Sequence, residues 1–256
     1  VVNVTVIMLT IIGGIGFIVM NELLHKIRHK GYRLSLHTRV VLLASVVLLL
    51  LGAASLFALE ATNDNTLGSL SLKDKVLASW LHSATARTSG FATISFADFR
   101  VITLIVLGAL MFIGSSPGGT GGGVKTTTMA VAMQTLISFV KGKTDVEIFD
   151  RRVSGIVVVK SFAIIMSAIA LILVASSLMS LAEPHEFHAL VFEATSAFST
   201  TGLTTGITPE LSSPSILILA AVMLIGRIGP LAVLQLFFAK RAAQSIRLPE
   251  EDVLVG

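Results

Sequence analysis

Two four-residue strings carry oxygen-rich chemistry: Thr88-Ser89-Gly90-Phe91 and Thr200-Thr201-Gly202-Leu203. Hydroxyl and carbonyl oxygens are ligands suited to a hard monovalent cation. A glycine in such a string can adopt backbone angles that turn carbonyls toward an axis without a Cβ clash. Potassium filters work this way, with four loops of T-V-G-Y-G type whose carbonyls replace the ion's hydration shell. The bland alternative for a single string is a polar loop capping a helix end. A third stretch, Pro117-Gly118-Gly119-Thr120-Gly121-Gly122-Gly123, runs on through Val124 into Lys125 and looks like a nucleotide-binding P-loop. That motif needs a glycine, four residues, then Gly-Lys-[Ser/Thr]. Here Val124 intervenes before Lys125 and Thr126, so the spacing misses by one.

The elements that must position these strings are apolar. Of 256 residues, 54% are hydrophobic and 13% charged, against about 25% charged in soluble domains. That balance points to a membrane protein and away from the soluble strand–loop–helix context of a P-loop. There are no cysteines, which excludes disulfides and thiolate metal sites. A helix needs about 20 apolar residues to cross the bilayer core. Four stretches qualify: Val1–Leu24, Val40–Leu59, Ser154–Leu181 and Pro214–Ala239. A fifth, Phe99–Val140, is long enough but interrupted by the glycine run, leaving halves Phe99–Ser115 and Lys125–Val140. His25–Arg39 holds five Lys/Arg, Lys141–Arg152 four and Lys240–Arg247 three, whereas Glu183–Ser213 holds none. The positive-inside rule puts the basic loops in the cytoplasm. The formal net charge of +4 therefore reads as topology, and no nucleic-acid partner is expected.

Lys73–Ala84 and His185–Phe198 are helix-like but too short to span. Each precedes one of the Thr/Ser-Gly strings, which suits re-entrant helices buried in protein. A shift of 112 residues carries Gly90 onto Gly202 and Met111–Gly114 ("MFIG") onto Met223–Gly226 ("MLIG"). The chain thus contains two parallel copies of outer helix, short re-entrant helix, Ser/Thr/Gly turn and inner helix. "IGGIG" (Ile12–Gly16) matches "IGRIG" (Ile225–Gly229), so the first helix reads as the inner helix of a preceding unit. Two strings at equivalent places weigh against the simple capping loop.

With these residues in view, the chain resembles the membrane subunits of the Ktr/Trk/HKT cation transporter superfamily, the Ktr branch above all. "TARTSGF" (Thr85–Phe91), "PGGTGGGVKTTT" (Pro117–Thr128), "FSTTGLTTG" (Phe198–Gly206) and "IGRIGPL" (Ile225–Leu231) carry the resemblance. It implies an all-α integral membrane protein with four potassium-channel-type units around one pore, of which this chain supplies the last two and one preceding helix. The expected divisions are residues 1–39 (last helix of unit two and a basic loop), 40–152 (unit three), 153–247 (unit four) and 248–256 (tail). The missing earlier units favour a truncated chain over a natural half-pore.

The resemblance implies further roles. Potassium binds at the carbonyls of Thr88, Ser89, Gly90 and Phe91 and of Thr200, Thr201, Gly202 and Leu203. Pro117, Gly118, Gly119, Thr120, Gly121, Gly122, Gly123 and Lys125 form an intramembrane gating loop; the alternative is a rigid break that only shapes packing. Five glycines and a proline cannot sustain a helix there, at about 1 and 3 kcal/mol per residue. Thr126–Thr128 restart it. Arg227 lies thirteen residues into its span, roughly 20 Å along the helix. A mid-membrane arginine faces protein. The loop's carbonyls are its candidate partners, making it a latch for the closed state; Glu22 is the alternative. Lys125 sits at the loop's cytoplasmic end, where simple solvation is the alternative to a part in the loop.

Other residues are weaker. Glu193 either adds negative potential at the outer mouth or makes a structural hydrogen bond. Arg87 is read as a strut behind the filter. His82, His185 and His188 share no metal-ligand pattern and are taken as interfacial. The apolar end of the tail, Val253–Gly256, suggests docking to a partner or second copy. The resemblance implies a homodimer in the plasma membrane, surrounded by lipid and seated on a cytoplasmic ring of regulatory subunits. Any nucleotide would bind that ring. No cofactor is expected in this chain, which is not read as an enzyme. Potassium is the expected cargo and sodium is open as co-ion or activator. The alternatives are a sodium-permeable relative and a non-conducting sensor or scaffold.

Overall fold

A computed structural model describes residues 2–29 and 31–238; the basic segment 240–247 and the tail 248–256 lie outside the described residues. Ten helices account for almost all regular structure among the described residues.

Two helices are long and apolar enough to cross a membrane alone: α3 (Leu36–Glu60) and α7 (Gly155–Ser180). At 25 and 26 residues each is roughly 38 Å long, enough for a bilayer core with tilt. Ser35 starts α3, its hydroxyl accepting from the Thr38 amide at 3.2 Å, as an N-cap serine does. Between the long helices and their successors lie two short ones, α4 (Leu72–Thr85) and α8 (Phe187–Ser199). Ser71 caps α4 on the Asp74 amide and donates to the Asp74 carboxylate at 2.7 Å. The C-terminal halves of both short helices are almost entirely buried. A helix of this length survives at membrane depth because protein surrounds it.

The remaining helices are halves. After Gly16, α1 (Val2–Ile15) turns by 98° into α2 (Phe17–Arg28). A second pair is α5 (Val101–Phe112) and α6 (Thr126–Val140), with the glycine run between, and two more halves follow at the end of the described chain. These are α9 (Ser213–Ile228) and α10 (Pro230–Phe238), divided at Gly229. The sequence expectation of unbroken helices over Val1–Leu24 and Pro214–Ala239 is therefore corrected. Both breaks fall on the last glycine of the matched "IGGIG" and "IGRIG" strings, with φ of 92° at Gly16 and 102° at Gly229. Such angles are open to glycine and strained for other residues.

A second departure from an all-α reading is a hairpin between α6 and α7. Strands β1 (Glu147–Ile148) and β2 (Arg151–Arg152) pair antiparallel. Phe149 and Asp150 make the two-residue turn, both left-handed at φ 49° and 59°, as a type I′ turn requires.

Three apolar clusters form the interior. One joins α7, α8 and α9 around Met179, Leu190 and Phe198. A second joins α3 and α5 around Leu56, Leu107 and Met111, and takes in Phe192 of α8 and Leu203. Phe96 stacks among Phe99, Phe192 and His82, at 4.8, 6.2 and 5.4 Å between ring centres. The two halves of the chain are thus knit together immediately behind the filter strings. The third cluster sets Ile7 of α1 against Leu81 and Ala84 of α4.

Candidate ion filter and gate

Each Thr/Ser-Gly string begins where a short buried helix ends. Helix α4 stops at Thr85, and the amides of Ser89 and Gly90 both fold back onto the Thr85 carbonyl at 3.1 and 3.2 Å. Helix α8 stops at Ser199, and the Thr201 amide folds back onto Ser196 O at 2.9 Å. The strings share a backbone rhythm. Thr88 and Thr200 are left-handed at φ 69° and 54°, and Gly90 and Gly202 at 73° and 88°. Both strings lie at helix C-termini, where the negative end of the macrodipole favours a cation.

The strings touch each other. A Cβ on Gly90 would lie 2.2 Å from the Thr201 carbonyl oxygen, so that position admits no side chain. The Thr201 hydroxyl also donates to Ala86 O at 3.4 Å. Gly202, by contrast, has open space within 4 Å of a built Cβ. Among the described residues, its φ of 88° is what calls for glycine.

Behind the second string, Glu193 is 4% exposed. It accepts from the Thr204 hydroxyl at 2.7 Å, the Thr205 amide at 2.9 Å, the Thr205 hydroxyl at 3.2 Å and the Thr208 hydroxyl at 2.8 Å. Of the two roles open from sequence, the hydrogen-bonding one is what the geometry displays. At the equivalent place behind the first string stands His82, buried rather than interfacial. Its Nδ1 faces Ala78 O at 2.8 Å and its Nε2 accepts from the Thr93 amide at 3.4 Å. Thr93 and Thr205 are 112 residues apart, so the same backbone donor is held in both halves by a different side chain. Of the other two histidines read as interfacial, His188 lies 3.0 Å from the Glu186 carboxylate and His185 lies 3.7 Å from that of Glu210.

Arg87 is buried and reaches Ser45 of α3 at 3.3 Å. Its Nε has no partner among the described residues. With Thr10, Ser89 and Thr120 it lines a cavity of about 230 Å³. Ser89 shares a 2.9 Å hydrogen bond with Thr10 of α1, so its hydroxyl turns away from the neighbouring string.

The glycine run is a lasso. Its neck is closed by Gly114 N to Val124 O at 2.9 Å and Val124 N to Phe112 O at 3.1 Å. Its tip lies against the first residue of each string. Gly122 N donates to the Thr200 hydroxyl at 2.9 Å, and a Cβ on Gly121 would fall 2.0 Å from Thr88 Oγ1. Its flank rests on the α1–α2 break. Ser116 N donates to Gly14 O at 3.0 Å, and Phe17 N donates to Gly118 O at 3.2 Å. Two broken helices thereby satisfy each other's freed backbone groups, as unwound chain at membrane depth requires.

Two cations hold adjacent carbonyls at the tip. Arg227 donates to Thr120 O, and Lys125 Nζ donates to Gly121 O at 2.7 Å. Lys125 is therefore turned back onto the loop, against the solvated alternative. Glu22, the alternative partner for Arg227, instead accepts from the Ser35 amide at 3.0 Å. Sequence reasoning also missed His82 as a brace; the signal was its position one residue from the counterpart of Glu193.

Comparison with known proteins places the chain in a family. Residues 1–246 match the TrkH family, described as "Cation transport protein"; the chain belongs to it. It is 40% identical over 97% of its length to Ktr system potassium uptake protein B of Vibrio alginolyticus, covering 54% of that protein. It is 33% identical over 97% of its length to the potassium/sodium uptake protein NtpJ of Enterococcus hirae, covering 56% of it. The potassium transporter TrkH from Vibrio parahaemolyticus superposes with a TM-score of 0.74 over 91% of this chain and 51% of that one, at 17% identity. The chain thus spans about half the length of the curated relatives it matches. This is a family of membrane cation transporters, not of enzymes.

Proposed function

We propose that the chain is the second half of a potassium uptake protein of the bacterial plasma membrane, built from two of four pore units. Ions cross through a filter made in part by Thr88–Phe91 and Thr200–Leu203. The observation that carries this is the juxtaposition of two left-handed glycine strings, each at the end of a buried half-length helix, with a glycine lasso pressed against both. In this reading the lasso is the gate, and Arg227 and Lys125 hold it shut through Thr120 O and Gly121 O. The relatives named for a Ktr system support a multi-subunit assembly, and a homodimer on a nucleotide-binding ring is the form we infer. The test is rubidium flux into liposomes carrying the complete gene product, with sodium as competitor. Selective flux that Gly202→Ser relaxes toward sodium supports the filter. Absence of flux from folded protein, with its cytoplasmic partner added, sinks the uptake reading in favour of a sensor or scaffold.

A second reading has its own support. One relative at 33% identity is named for both potassium and sodium, so sodium enters as co-ion, activator or second permeant ion. Comparable rubidium and sodium fluxes from the native protein would favour it.

A further inference from the structure

A concave pocket of about 760 Å³ opens at the cytoplasmic ends of the two long helices, away from the filter. Its walls come from two loops more than 100 residues apart. Arg33 comes from the loop before α3 and Arg39 from its first turn, and Arg151 and Arg152 from the hairpin that leads into α7. The guanidiniums of Arg33, Arg39 and Arg151 have no ion pair or hydrogen bond among the described residues. Arg152 meets Asp145 at 2.9 Å. The acidic groups nearby are Asp150, on the pocket wall, and Glu22, committed to the Ser35 amide. Four cations therefore face one opening with incomplete neutralisation. The positive-inside rule accounts for basic loops; it does not require two of them to converge on one concavity.

Depth identifies the occupant. Leu36 and Gly155 begin the two membrane-crossing helices, so the pocket sits where lipid headgroups lie. Phe149, also on its wall, is at the hairpin tip, 44% exposed and left-handed at φ 49°. A bulky residue is an outlier in that region, and an exposed aromatic beside arginines suits the boundary between headgroup and acyl chain. We propose that this pocket binds the phosphate headgroup of an anionic phospholipid of the inner leaflet, with Arg33, Arg39, Arg151 and Arg152 on the phosphate and Phe149 against the glycerol and upper acyl chain. Basic pockets between membrane helices on the cytoplasmic side hold such headgroups by this chemistry.

The experiment is native mass spectrometry of the complete gene product titrated with phosphatidylglycerol or phosphatidylcholine. The native protein retains phosphatidylglycerol in preference to phosphatidylcholine. Arg39→Gln with Arg151→Gln weakens phosphatidylglycerol by roughly thirtyfold, from the usual worth of two cations at an anionic membrane surface, and leaves phosphatidylcholine unchanged. The paired lysine variant, Arg39→Lys with Arg151→Lys, keeps most of the binding. Phe149→Asn, which suits the left-handed turn, weakens phosphatidylglycerol severalfold with the arginines intact, and serves if the arginine pair fails to fold. Unchanged phosphatidylglycerol retention in both variants overturns the proposal. So does inorganic phosphate at millimolar concentration displacing the lipid, which would mark a free-anion site. Loss of a bound cytoplasmic protein with lipid retention intact would make the pocket a protein interface and also overturn it.

Discussion

The two Thr/Ser-Gly strings have the same backbone and different supports. Thr88–Gly90 and Thr200–Gly202 repeat the alternation of left-handed residues, and in each half a donor three residues past the glycine is held from the short helix. In the first half the holder is an imidazole that accepts one long bond from the donor and faces Ala78 O with its other nitrogen. In the second it is a buried carboxylate accepting four. Space differs too: Gly90 is wedged against the Thr201 carbonyl and Gly202 is open. The repeat preserves the backbone groups that need partners, and leaves each half to satisfy them with whatever side chain reaches.

That contrast can be broken at several points. Gly90→Ala has the largest expected effect, because its methyl lands on a backbone carbonyl that cannot yield without moving the second string; rubidium flux is expected to vanish. Gly202→Ala adds only backbone strain, about 1–2 kcal/mol, and is expected to keep a measurable fraction of flux. Equal loss from both would show that the two positions are not distinguished by crowding.

Next comes Glu193→Ala, which leaves buried hydroxyls and an amide unpaired and costs several kcal/mol. His82→Phe removes two bonds, the one to Ala78 O and the one from the Thr93 amide, at about 1–3 kcal/mol together. Thermal unfolding in detergent should rank them in that order; a larger drop for His82→Phe would reverse the assignment of the stronger brace. At the proposed gate, Arg227→Gln and Lys125→Gln each remove a charged donor worth about 1.5–3 kcal/mol. Each is expected to raise resting flux severalfold, and the pair more than either alone.

The smallest effect lies at the outer surface. The hydroxyl and amide of Ser212 hold the Glu183 carboxyl below the usual carboxylate range. Its folded value is depressed, so its contribution to stability is present above the ordinary carboxylate pKa and is lost as pH falls through the folded one. Glu183→Gln should flatten the acid limb of a melting-temperature profile; an unchanged limb would assign acid sensitivity elsewhere.

Much of this was legible in the sequence, for identifiable reasons. Seven residues from Pro117 to Gly123 that cannot be helical announce a break, and a Thr-x-Gly string after a short apolar segment announces a turn. The breaks at Gly16 and Gly229 were hidden because a lone glycine in an apolar run costs only about 1 kcal/mol and reads as tolerated. At Gly16 what decides is tertiary: a Cβ there would lie 2.6 Å from Pro117 O, a neighbour more than 100 residues away; at Gly229 no described atom lies within 4 Å of a built Cβ, and the φ of 102° is the glycine requirement. The place of Lys125 was hidden by tertiary structure too, since its partner Gly121 O exists only once the lasso has closed. The hairpin escaped because Phe149 is not a residue that signals a left-handed turn.

The clasp at the neck of the lasso has a mechanical consequence. Because Gly114 and Val124 are pinned to one another, the nine residues between them can swing while α5 and α6 keep their length and register. In the proposed gating, permeation would then be switched by trading contacts at the tip and along the α1–α2 flank, with no half-helix melted or re-formed. Such a swing is a lid-type motion of the microsecond-to-second range, set by the few hydrogen bonds it exchanges and not by the refolding of a helix.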